Sequence, residues 1–423
     1  MSREMNSEYA CFGAIPSNWD VKKIKSVFTL KSVKSGGVGE LLSVYLDRGV
    51  ISYSDSTGMQ VHKPSQDLSN YQVVNNGDFV LNNQQAWRGS VGVSKYDGII
   101  SPAYVIYTMG KDCDPSYMGY LLRDKSMVQQ YELSSRGVGT IQRNIFVPWL
   151  RESFVLIPPL SEQHRIADFL DSKCSQIDEI SKKIQEEIDT LEEYKKSVIT
   201  EAVTKGLDPN VEMKDSGYEW LGIMPVQWAL QKGKYLFVQK NDRGNTINLQ
   251  LLSPTQNYGV IPQSLYEELS GFNAVKLNDK TDFNQLKTVH KGAYVISLRS
   301  FQGGFEYSEY EGVVSPAYQV FYPVISIDDR YYKYFFKTQI FIDKMNSYTM
   351  SLRDGKNIAF ADFGNTYIPY PPKNEQQKIA DYLDDKTSRI TASIDAKKSQ
   401  LEVIEEYKKS LIYEYVTGKK EVA

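Results

Sequence analysis

Residues 158–204 recur at 371–417 with 22 of 47 positions identical at a constant offset of 213. A duplicated helical pattern of this length restricts the chain to an internally repeated architecture. The copies open with Pro158-Pro159 and Glu162-Gln163, answered by Pro371-Pro372 and Glu375-Gln376. They close with Glu192-Glu193-Tyr194-Lys195-Lys196-Ser197 and Glu405-Glu406-Tyr407-Lys408-Lys409-Ser410. In the first copy Leu170, Ile177, Ile184, Leu191 and Val198 fall seven residues apart, and Ile166, Ile180 and Tyr194 occupy the expected companion position. The second copy places Leu383, Ile390, Ile404 and Leu411 on the same stripe, with Lys397 interrupting it and Ile394 nearby to mend it. A seven-residue apolar period keeps one face toward a partner helix, so each copy is predicted to enter a coiled coil.

Helix boundaries follow from the same residues. A Pro-Pro pair forbids helix just upstream, Ser161 and Asn374 are good N-caps, and Gly206 and Gly418 are stops. About 45 residues at 1.5 Å each give rods of roughly 65 Å, longer than a single domain core requires. An oligomerisation or spacer coil satisfies the periodicity. Duplication within one polypeptide, with a block ahead of each copy, favours instead two helices pairing antiparallel inside the chain and acting as a ruler.

The blocks ahead of the helices are also related. Pro16 and Trp19 recur as Pro225 and Trp228, and Gly77-Asp78-Phe79-Val80 as Gly292-Ala293-Tyr294-Val295. Ser101-Pro102-Ala103-Tyr104 recurs as Ser315-Pro316-Ala317-Tyr318. Short runs rich in Val, Ile, Tyr and Phe, punctuated by Gly and Asn, predict a mostly β module with a few helices, residues 117–131 and 331–345 among them. The expected class is α+β: two mixed, mainly β modules and two long helices in an intramolecular antiparallel coiled coil, a pseudo-twofold repeat. The boundaries read as a tail 1–13, a module 14–157, a helix 158–205, a linker 206–221, a module 222–370, a helix 371–418 and a tail 419–423.

Several functions are excluded. Cys11, Cys113 and Cys174 are far apart, only His62, His164 and His290 could join them, and a zinc site or disulfide framework is not expected. The sequence holds neither a G-x-x-x-x-G-K-[ST] nucleotide loop nor a Gly-rich cofactor loop after a strand. Ser101-Pro102-Ala103-Tyr104 departs from the amino-methyltransferase loop, because Ser replaces the Asn or Asp and Ala follows the Pro. No apolar run reaches membrane-spanning length, and a cytoplasmic location is expected. Net charge is −3, unlike a typical nucleic-acid binder, yet residues 14–157 carry 15 basic and 12 acidic side chains against 7 and 11 in residues 158–205. Residues 206–370 carry 16 and 17. Any electrostatic grip on a polyanion is therefore local or shared with a partner.

With the Pro-Pro-x-x-Glu-Gln helix starts, the Glu-Glu-Tyr-Lys-Lys-Ser helix ends and the Ile/Met-Pro-x-x-Trp block openings all in duplicate, the chain resembles the DNA specificity (S) subunit of type I restriction-modification systems over nearly its full length. The resemblance implies two target-recognition domains, each reading one half of an asymmetric bipartite site in double-stranded DNA. It implies that the paired helices set the gap and dock two methyltransferase (M) subunits, with restriction (R) subunits joining. It implies no cofactor in this chain, S-adenosylmethionine serving adenine N6 methylation in the methyltransferase partner, and ATP and Mg in the restriction partner. The rival readings are a self-sufficient methyltransferase or nuclease, which the missing motifs disfavour, and a coiled-coil scaffold or decoy without productive DNA recognition.

Base edges are read mainly by Arg, Asn and Gln. The candidates are Asn83, Gln84, Gln85 and Arg88 in one loop of the first block and Arg136, Gln142 and Arg143 in its Gly-rich loop; the second block offers Arg299, Gln302, Arg353, Lys356 and Asn357. Each could equally be a solvated loop residue. Trp87 and Phe301, at similar points in the two blocks, are read first as core or hinge packing and second as base-stacking groups.

Overall fold

The computed structural model describes residues 2–3, 7–46, 48–56, 64–138, 142–243, 249–272, 283–297, 304–348 and 358–422. It divides into two compact units, residues 1–185 with 398–423 and residues 186–397. The first long helix, Leu160–Lys205, contributes to both units, and so does the second, Lys373–Val416.

Each unit contains a four-stranded antiparallel sheet. In the first unit the spatial order is Phe28–Lys31, Tyr104–Met109, Phe79–Asn82, Val91–Val93; in the second it is Phe237–Lys240, Gln319–Pro323, Tyr294–Ile296, Phe305–Tyr307. The registers correspond: Tyr107 lies opposite Phe79, and Phe321 opposite Tyr294. These cross-strand aromatics seed the two cores. Phe79 and Tyr107 stack in the first, as Tyr294 and Phe321 do in the second. Such pairs add about 0.5–1.5 kcal/mol beyond the area they bury.

A further strand leads from each module into its long helix, Phe154–Ile157 and Tyr367–Tyr370. These pair with Asp20–Lys23 and Ala229–Lys232. The residues predicted as single helices form two each, Pro115–Leu121 with Lys125–Leu133 and Asp329–Phe335 with Gln339–Ser347. The break in the first pair arises at Asp124, whose carboxylate accepts from the Ser126 N–H at 2.9 Å and begins a new helix.

The long helices start two residues before the predicted caps would allow, so Ser161 and Asn374 lie in the first turn. Pro159 and Pro372 hold the preceding position and their carbonyls accept from Gln163 and Gln376 N–H at 3.0 Å each. The following Gln then locks the junction. Gln163 is fully buried; its Oε1 accepts from Asp114 N–H at 2.8 Å, while its Nε2 donates to the carbonyls of Asp112 and Pro158. Gln376 repeats this with Asp328 N–H at 2.9 Å and the Pro371 carbonyl at 2.8 Å.

The opposite helix ends are tied to the modules by tyrosines. Tyr117 donates to the Val416 carbonyl at 3.0 Å, and Tyr331 to the Val203 carbonyl at 2.8 Å. Both carbonyls belong to last turns, where intrahelical partners run out. Gly418 adopts φ +69, and a Cβ there would fall 2.4 Å from Pro16 Cδ, so the glycine admits the block-opening Pro and Trp19.

Within each unit the helix segments run antiparallel. In the first unit Lys408 pairs with Asp178 and Phe169 packs on Tyr415; in the second Lys397 pairs with Glu187 and Lys195 donates to Thr391 Oγ1 at 2.6 Å. Leu170, Ile177, Val198, Leu383, Ile390 and Leu411 are buried, while Ile184, Leu191 and Ile404 are half-buried. At the companion position Ile166 is buried as expected, but Ile180 and Tyr194 are 50% and 47% exposed. Cys174, Ser181, Ile188 and Lys195 fill that side instead, four residues after each stripe member rather than three. The facing helix lies on that flank, and composition on a single helix does not reveal which flank a partner covers. Lys397 does not break the stripe, since its stem packs there while its amine reaches Glu187.

The second sheet carries a buried carboxylate at a place where the first sheet has none. Gly92 sits opposite Val80 in the first sheet, and Glu306 occupies the corresponding place opposite Val295 in the second. Glu306 is 1% exposed, bonds Lys337 and leaves Oε2 without a partner among the described residues. Burial pushes its carboxyl up from 4.5 to about 7, outweighing the pull of Lys337.

Removing the Gln163 amide strands three backbone groups, one buried and two part-buried, so Gln163→Ala is expected to destabilise the first unit by about 2–4 kcal/mol, read as a lower urea midpoint. Because the folded-state pKa of Glu306 is raised, its stabilising contribution is present at low pH and lost as pH rises from about 4.5 through about 7. Wild-type protein should therefore lose stability relative to Glu306→Gln between those values, by on the order of 3 kcal/mol, measured by urea unfolding across that range.

Candidate nucleic-acid interface

The candidate residues of the first module lie on two adjoining elements. One is the turn after the Phe79–Asn82 strand, containing a 3-10 turn at Ala86–Arg88 that ends at Gly89 with φ +100. The other is the antiparallel hairpin of Ser135–Val138 and Gln142–Ile145. A backbone bond from Ile145 N–H to the Asn83 carbonyl at 3.0 Å ties them together.

Their side chains have different environments. Gln84, Gln85 and Arg88 are exposed, whereas Asn83 is half-buried and its Oδ1 lacks a hydrogen-bond partner among the described residues. Trp87 is neither core nor an open wedge. Its Nε1 donates to the Gln84 carbonyl at 3.0 Å, and its ring carries the guanidinium of Arg88 at 4.7 Å and of Arg143 at 5.1 Å. Arg143 also pairs with Glu132 at 2.9 Å. Arg136 sits against Phe146 and Trp149, with 3.3 and 4.3 Å from its Cζ to the ring centroids.

Gln142 enters the hairpin opposite Val138. Arg299, Gln302, Arg353, Lys356, Asn357 and Phe301 lie outside the described residues. The sequence reading missed Asn144, Phe146 and Trp149. Asn144 is exposed and lies directly opposite Arg136; strand alternation through residues 135–138 and 142–145 was the available signal. The arrangement offers planar, multi-donor guanidiniums held on aromatic rings, which suits hydrogen bonding to base edges or phosphates. Among the described residues no cluster of His, Cys, Asp and Glu could hold a metal ion, and no helix is long and apolar enough to cross a membrane.

The model of the type I restriction modification DNA specificity domain matches residues 16–190 and again 230–403. The chain belongs to that family. Its function is DNA sequence recognition in a type I restriction-modification system, as the component that supplies specificity rather than catalysis. Two type I restriction enzyme specificity subunits of Methanocaldococcus jannaschii are similar along their lengths. MjaX, a provisional assignment, is 23% identical over 99% of this chain and 97% of its own. MjaVIII is 24% identical over 96% and 93%. A solved chain from work on assembly and conformational transition of the type I R-M system shares the fold, with a TM-score of 0.69 at 15% identity over 95% of this chain and 98% of that one. This specificity protein therefore carries the duplicated family domain twice, each copy running from a β module into a long helix.

Trp87→Ala removes the ring that holds two guanidiniums together with its own hydrogen bond. The expected cost is about 1–3 kcal/mol, with faster amide exchange in the 135–145 hairpin by mass spectrometry and little change in the second unit.

Proposed function

We propose that this specificity subunit reads an asymmetric bipartite site in double-stranded DNA, one half with residues 14–157 and the other with residues 222–370. The observation that carries this reading is the duplicated domain whose two copies share strand registers and anchors but differ in their polar loops. A common skeleton with unlike loops calls for two unlike words. Asn83, Gln84, Gln85, Arg88, Arg136, Gln142 and Arg143 are the first module's candidate DNA contacts. Arg299, Gln302, Arg353, Lys356 and Asn357 are the second's. The helices at 158–205 and 371–418 set the gap between half-sites and dock two methyltransferase subunits, the repeat offering each the same surface. Those partners take S-adenosylmethionine and methylate adenine N6, flipping the base into their own pocket. Restriction subunits using ATP and Mg complete a cytoplasmic assembly.

Mapping methyl-adenine across the genome of a host that expresses this chain with the methyltransferase encoded beside it, against a host lacking only this chain, tests the reading. A split motif with one methylated adenine on each strand is expected. Co-purification of the two proteins without any motif would instead support a scaffold or decoy. Replacing residues 14–157 with the corresponding module of another family member should change one half-site and leave the other word intact.

A further inference from the structure

The antiparallel register of the 135–145 hairpin sorts its polar residues onto two faces. Arg136 lies opposite Asn144, and Gly137 opposite Arg143. Successive residues alternate sides, so Arg136 and Asn144 share one face while Arg143 and the buried Ile145 share the other. The Arg143 face turns inward, toward the Trp87 ring and Glu132. The Arg136 face turns outward, both of its residues being exposed.

The outward pair is unspent and held in place. Among the described residues neither the Arg136 nor the Asn144 side chain makes a hydrogen bond or ion pair, whereas Arg143 bonds Glu132 at 2.9 Å. The Phe146 and Trp149 rings stand 5.1 Å apart at 78°, forming a corner into which the Arg136 guanidinium fits. A ring against the face of a guanidinium leaves the in-plane N–H donors on its open edges available. Confining the side chain beforehand also lowers the entropy lost when it binds.

We propose that Arg136 and Asn144 form a cross-strand reader of two neighbouring base pairs in the first module's half-site. Arg136 takes a guanine through O6 and N7, and Asn144 takes an adenine through N6 and N7. The proposal rests on the DNA-reading role of residues 14–157 and adds which side chains decide bases. The dimensions agree. A two-stranded β ribbon enters the major groove, about 12 Å wide. Directly opposed side chains start about 4.5–5.5 Å apart, about 1–2 Å more than one base-pair step of about 3.4 Å, a difference that the reach of an Arg side chain takes up. Arg is the side chain best matched to guanine and Asn to adenine in that groove. Arg143 then holds the hairpin on the Trp87 turn as a positioning residue, which withdraws it from the first module's candidate DNA contacts.

The test is methyl-adenine mapping with the full chain and its methyltransferase, comparing wild type with Asn144→Ala, Arg136→Ala and Arg136→Lys. Thermal unfolding of each purified variant checks that it folds, and Asn144→Ser serves if Asn144→Ala does not. Asn144→Ala is expected to relax a single A·T position in one half-site, with a roughly ten- to hundred-fold loss of discrimination there. The Arg136 variants should relax a neighbouring G·C position, and the other half-site should be unaltered. An unchanged motif in all variants overturns the proposal. Uniformly weaker methylation with no base position relaxed also overturns it, since that is the behaviour of a phosphate contact. A wild-type chain that directs no motif at all removes the underlying DNA-reading role, a failure visible before any variant is compared.

Discussion

Each unit depends on a buried glutamine where the chain passes from sheet to long helix. Gln163 and Gln376 satisfy backbone groups of the module and of their own helix start simultaneously. In the interior an amide left without these bonds costs more than a bond contributes in water, so the junction holds one geometry. Tyr117 and Tyr331 do the same at the far ends of the helices, capping the carbonyls of Val416 and Val203. A module fastened at the start of one helix and the end of the other behaves as part of the helix pair. Its loops inherit that rigidity.

Rigidity at the base allows polar residues at the loop tips to be selective. In the first module the hairpin is bonded to the 82–90 turn through Asn83 and Ile145, and through the Arg143 contacts with Trp87 and Glu132. Arginines in this region divide into those that hold the loop and those that remain available. Residue type alone does not separate the two groups. The division follows from which strand face each residue occupies, and a shift of one residue in register would exchange them.

The duplicated skeleton tolerates different interiors. In the first unit Lys31 pairs with buried Asp78; the matching position in the second unit is Ala293, and a buried carboxylate appears instead as Glu306 beside Lys337. Trp19 donates to Glu162 at 3.0 Å, whereas Trp228 Nε1 has no partner. The fold is held by backbone registers, aromatic pairs and helix anchors common to both copies, so these substitutions alter local stability and its pH dependence without altering the architecture.

Much of this was legible in the amino-acid order. The repeat, the helix pair, the β character of the modules and the family resemblance follow from local periodicity and from motifs whose spacing backbone geometry dictates. The duplication extends further upstream than the reading recognised: Ser7 and Tyr9 recur as Ser216 and Tyr218. Each stretch follows a strand that pairs with its block opening, Ser2–Arg3 on Ile15–Pro16 and Met213–Asp215 on Ile223–Pro225, in regions read as tail and linker. Tertiary structure alone decided which flank of the apolar stripe is covered, leaving Ile180 and Tyr194 outside and placing Ser181 and Lys195 on the covered side. It also decided that Glu-Gln is a latch rather than a surface pair, and that Asn144 stands beside Arg136. Periodicity specifies the direction of a side chain from its own backbone, but the neighbour it meets is set by contacts between distant segments, which no local pattern contains.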